Sequence, residues 1–73
     1  SNDVVSYFTQ VDYKTALEFY KKEMLVQEWK EAEGSTETDN TAVLYYDKPD
    51  RKATVTISTT GDQTVVQILI EPK

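Results

Sequence analysis

Apolar and polar residues alternate through three stretches of the C-terminal half, and the turns between them put the apolar positions on one side. Thr41–Asp47, Lys52–Thr59 and Thr64–Glu71 each repeat with the period of two that marks a half-buried strand. Gly61-Asp62 predicts a two-residue hairpin turn, because Gly supplies the positive φ that primed turns require. That turn sets Thr60 opposite Gln63, so that Ile57 faces Val66, Val55 faces Ile68 and Ala53 faces Ile70. The loop Lys48–Arg51, which contains Pro49, sets Asp47 opposite Lys52. Tyr46 then faces Ala53, Leu44 faces Val55 and Ala42 faces Ile57. A slip of one residue would turn a whole strand over, so two independent turns that agree on one apolar face specify the register.

The N-terminal half changes period. Asp3–Thr9, with Val4, Val5, Tyr7 and Phe8, predicts a strand. Asp12 then stands where an N-cap belongs. Tyr13, Ala16, Leu17, Tyr20 and Met24 recur at spacings of three and four, the signature of one helix face. Lys14, Glu18, Lys21 and Lys22 fall on the far side, and Glu18 precedes Lys22 in the favourable order, worth a few tenths of a kcal/mol. Phe19 and Val26 make a second, smaller apolar line, and the helix is expected to end near Leu25 or Val26. Trp29–Glu33 reads as a second strand and Gly34–Asn40 as a polar loop. The expected fold is therefore α+β. One helix packs on a four- to five-stranded antiparallel sheet in the order β-α-β-β-β-β, a single domain over residues 3–73.

A helix with one main apolar stripe covers one face of that sheet. The other face carries Thr54, Thr56 and Ser58 on its middle strand, flanked by Val43, Tyr45, Val65, Gln67 and Leu69. Two readings follow: a Thr-rich solvated face, or a docking surface made of Val43, Tyr45, Val65 and Leu69. Tyr45, adjacent to the core residue Tyr46, points to the open side, where it could stack on a sugar or a partner. Lys52 sits between Asp47 and Glu71 in the same register, an exposed triplet of small energetic value.

Composition narrows the chemistry. The chain has 73 residues, enough for one core and no more, so its stability is a few kcal/mol. It has no cysteine, hence no disulfide and no thiol nucleophile, and no histidine, the usual general base and zinc ligand. Serines and threonines are plentiful, but none stands near a base of the right type, so no catalytic residue, cofactor site or metal site is assigned. Glu28, Glu31, Glu33, Glu37 and Asp39 cluster around the second strand, yet their spacing matches no calcium loop and reads as a solvated acidic edge. A net charge of −5 argues against nucleic acid and against anionic membrane surfaces. No apolar stretch approaches the roughly 20 residues needed to span a bilayer.

Ser1-Asn2 reads as the remnant of a cleaved affinity tag, which suggests a domain excised from a longer protein. The alternative is a short natural protein, trimmed. The phrases "DYKTALEFYKKEM…EWKE" and "DRKATVTIS…TVVQILI" resemble small domains of uncharacterised bacterial lipoproteins and other exported proteins. Ala16, Phe19, Tyr20, Lys21, Lys22, Met24 and Trp29 carry the resemblance, with Ala53–Ile57 in the second half. Such families usually have Gly before the Trp, where this chain has Glu28. The resemblance implies an extracytoplasmic location, anchored by a segment outside this sequence, and a non-enzymatic role. The element order is also similar to the helix-grip arrangement of cystatins. The inhibitory Gln-x-Val-x-Gly hairpin and Pro-Trp of that family are missing here. The expected function is a non-catalytic accessory or interaction module. It would meet a protein partner, or weakly a second copy, through the open sheet face. The alternative is a small-ligand or carbohydrate-binding domain using the same face around Tyr45.

Overall fold

The computed structural model describes residues 3–73; Ser1 and Asn2, read above as a tag remnant, lie outside them. The chain runs through β1 (Asp3–Thr9), α1 (Tyr13–Val26), β2 (Lys30–Glu31), β3 (Thr36–Glu37), β4 (Thr41–Lys48), β5 (Arg51–Thr60) and β6 (Gln63–Pro72). Among the described residues the six strands form one sheet, in the order β1-β6-β5-β4-β2, with β3 also paired to β4. Every pairing is antiparallel. The fold is α+β, one helix on a large antiparallel sheet.

The hairpins follow the alternation. Thr60 pairs with Gln63, Ile57 with Val66, Val55 with Ile68 and Ala53 with Ile70. Tyr46 pairs with Ala53, Leu44 with Val55 and Ala42 with Ile57. Gly61 has φ +60°, and a Cβ there would meet nothing within 4 Å. Its requirement is therefore one of backbone conformation rather than space. Asp47, Lys52 and Glu71 do lie side by side, but Asp47 makes its ion pair with Lys73, at 3.5 Å.

Two expectations need correction. The second strand is only Lys30–Glu31, not Trp29–Glu33, and the polar stretch Gly34–Asn40 is not all loop, because Thr36 and Glu37 pair with Val43 and Ala42. Between the two short pieces, the Ala32 N–H donates to the Tyr45 carbonyl at 2.8 Å and the Tyr45 N–H donates to Ser35 Oγ at 2.9 Å. β2 and β3 thus act as one interrupted edge along β4, broken where Gly34 adopts φ +100°. The sheet has six strands instead of four or five because backbone pairing needs no apolar alternation.

Helix α1 begins after Asp12, whose backbone is extended as an N-cap requires, although its side chain makes no capping hydrogen bond. It ends with the Glu28 N–H donating to the Leu25 carbonyl and the Trp29 N–H to the Met24 carbonyl, both at 3.0 Å. That is the Schellman pattern, with Glu28 at φ +69° in the position that glycine favours. The hydrophobic contact that accompanies such a cap is supplied by Met24 and Trp29, both in the core cluster.

The core joins Leu17 and Met24 to Leu44, Val55, Ile57 and Val66, with Tyr20, Ile68 and Ile70 packed against it. Lys48 and Arg51 place their cationic heads 4.7 and 5.5 Å from the Trp29 ring and close that end. At the other end the buried Thr64 hydroxyl donates to the Val11 carbonyl at 2.7 Å, tying the β1–α1 connection to β6. A single helix about 10 Å wide cannot span a sheet whose strands repeat every 4.8 Å or so. It lies over β4 and β5 and leaves the helix side of β1 open, where Val5 is 54 % exposed.

Candidate functional site

The sheet face away from the helix is organised in rows, because residues directly opposite each other share a face. One row runs Tyr45, Thr54, Leu69, Val4; the next Val43, Thr56, Gln67, Ser6; the third Thr41, Ser58, Val65, Phe8. The four residues expected to make a contact surface are therefore all on this face, but they are not brought together. Val65 and Leu69 stand on β6 beside β1. Val43 and Tyr45 stand on β4, across the Thr54–Thr56–Ser58 strand.

Strand β1 completes the surface instead. Val4 pairs with Leu69 and Phe8 with Val65, and Val4 and Phe8 are each 63 % exposed. These two apolar cross-strand pairs flank the polar pair Ser6–Gln67. A shallow groove of about 220 Å³ runs beside the first of them, from Val4, Leu69 and Gln67 to Thr54 and Thr56 on β5. Sequence reasoning missed Val4 and Phe8 because β1 carries apolar residues on both parities, so its alternation names no inner face. Nothing in the sequence marks its partner, and its seven residues pair with only part of the ten-residue β6.

Tyr45 has a different setting. It is 37 % exposed, and the Gly34 backbone covers one edge of its ring, where a Cβ would stand 3.5 Å from Cδ2. It lines a polar hollow of about 320 Å³ with Glu33, Lys52 and Glu71. On the helix side a second apolar groove, about 270 Å³, runs between Thr9 and Val11 and the helix residues Ala16 and Phe19.

The titratable groups with displaced pKa values lie away from the open face. Burial, and then Glu37, push the Tyr13 phenol up; its hydroxyl donates to the Thr38 carbonyl at 2.8 Å. Burial, and then Glu31 and Glu37, push the Tyr46 phenol up. The Thr15 hydroxyl, above other neighbours, holds the exposed Asp12 carboxyl down. Of the acidic residues around β2 and β3, Glu37 is paired to Lys21 at 2.8 Å, linking that edge to the helix. Among the described residues no three such groups converge to hold a metal ion, and no helix is long and apolar enough to cross a membrane. No family model matches this chain, and neither a curated protein nor a solved structure is significantly similar to it.

Proposed function

We propose that this domain is a non-catalytic interaction module that meets a protein partner on its open sheet face. The observation that carries the reading is the pair of apolar couples, exposed Val4 beside half-buried Leu69 and exposed Phe8 beside half-buried Val65, on a face that no other element covers among the described residues. Exposed apolar side chains grouped on one face mark contact surfaces more often than single ones do. Aromatic residues dominate binding energy, which gives Phe8 the largest share here. The resemblance to exported bacterial domains extends the proposal to an accessory role in an exported protein, where a module without catalytic groups acts by holding its neighbours.

The test is made in the intact protein in its own host. Leu69→Lys should reduce recovery of the bound partner at least tenfold, a loss of about 1.4 kcal/mol. Lys14→Glu, on the outer side of the helix, should leave recovery unchanged. Equal recovery with both variants contradicts the proposal.

The hollow beside Tyr45 supports a second reading. An aromatic ring flanked by Glu33, Lys52 and Glu71 offers a stacking surface with hydrogen-bonding groups at its rim, the composition that suits a saccharide. Shifts of the Tyr45 ring resonances on adding neutral oligosaccharides would favour it. Unmoved resonances at millimolar sugar leave the protein partner alone.

A further inference from the structure

We propose that the free edge of β1 takes a second copy of this chain, β1 pairing antiparallel with β1 to make one continuous sheet. This inference stands apart from the open-face partner and does not require it.

The two edges of the sheet are unlike. At the β4 edge the chain is broken into two strands of two residues each, carries the exposed charges Lys30, Glu31 and Glu37, and kinks at Gly34. Short, charged and kinked edges are how sheets avoid pairing with other chains. The β1 edge has neither a break nor a kink, and its one charged residue, Asp3, stands at its start. It is seven residues long, paired with β6 along its whole length, and has no neighbour on its outer side among the described residues. From Val4 to Val11 it carries no charge, no proline and no glycine. In a chain of net charge −5, which repels its own copies, this is a long neutral gap.

The occupant follows from self-complementarity. With the two-fold axis at Ser6, Val4 of each copy stands opposite Phe8 of the other, on the same face of the joined sheet. Asp3 then stands opposite Thr9, so no like charges meet. The open faces of the two copies become one surface, and the Val4–Leu69 and Phe8–Val65 couples are doubled across the axis. Because the contact is isologous and the β4 edge is guarded, association closes at two copies rather than growing into a fibre. A single strand pair is a small contact, so the dimer is of the weak, transient class.

Sedimentation equilibrium from about 10 μM to about 1 mM tests the idea in the range where such contacts form. The parent's average mass should rise from 8.4 kDa towards twice that value. Ser6 is exposed, so Ser6→Lys and Ser6→Glu leave the monomer folded, as circular dichroism would check. Each places like charges together at the axis and should lose the concentration dependence. An equimolar mixture of the two should regain it, as a heterodimer, and isotope-filtered NOEs should join Val4 methyls to the Phe8 ring between copies. A parent that stays monomeric throughout, or Ser6 variants that associate as the parent does, overturns the proposal. Loss of this dimer with retention of the partner in the intact protein would remove the inference and leave the open-face reading intact.

Discussion

The Trp29 N–H donates to the Met24 carbonyl at 3.0 Å across Glu28, which holds the left-handed φ of +69°. This contact ends the helix and turns the chain so that Trp29 enters the core beside Met24. A side chain with a Cβ is strained in that conformation, and a glycine is not. Glu28→Gly should therefore stabilise the domain by about 1 kcal/mol, less the small entropy that glycine adds to the unfolded chain. For a domain of this size that raises Tm by roughly 4–8 °C. A thermal melt showing no gain would mean that the cap is relaxed around Glu28 in solution.

Leu17 lies in the core cluster with Met24, Leu44, Val55 and Ile57. Leu17→Ala should cost about 2–5 kcal/mol, most of the stability of so small a domain. A variant melting within a degree or two of the parent would refute the packing of this helix face. Glu18→Ala, one residue on and exposed, should change little.

Thr64 is a core residue whose hydroxyl serves a single backbone carbonyl, that of Val11. Thr64→Val keeps its shape and removes the donor, so it should cost about 0.5–1.5 kcal/mol. The loss should appear locally, as faster amide exchange in residues 9–12. Unchanged exchange there would show that the β1–α1 connection is held by other contacts.

Tyr13 and Tyr46 both have pKa values raised above that of a free phenol, chiefly by burial. A group whose folded pKa is raised contributes stability that is complete below its unfolded pKa and is lost as pH rises through the folded one. The unfolded value is about 10. Stability should therefore be flat in these groups up to about pH 10 and fall above it. Tyr13→Phe should weaken the domain at neutral pH, by loss of the hydrogen bond to Thr38, and flatten the alkaline fall. Denaturant unfolding at pH 8 and at pH 11 reads both effects; an equal alkaline fall in parent and variant would contradict them.

The C-terminal hairpins were legible from sequence because both turns and every inward residue, from Ala42 to Ile70, agree. The helix was legible because Leu17, Tyr20 and Met24 keep one face. Its end was legible in place but not in mechanism, since Glu28 occupies a position where glycine would have been the signal. Strand β3 was not legible, because Thr36 and Glu37 are polar and too few to show a period. The position of β1 was not legible either. Val4, Val5 and Phe8 fall on both faces, and an edge strand with both faces exposed has no pattern to reveal its partner. That gap decided the candidate surface. Val65 and Leu69 were found, their neighbours Val4 and Phe8 were not, and Tyr45 was grouped with residues that lie two strands away.

Contact through the open sheet face can be read by site-specific photo-crosslinking in the intact protein. A photoreactive residue at Val65 should give a discrete adduct with one partner, competed away by excess free domain and weakened by Phe8→Ala. The same residue at Glu18, on the solvent side of the helix, should give none. Adducts of equal yield at Glu18 and Val65, or none at Val65 while the partner remains bound, would rule out contact through this face.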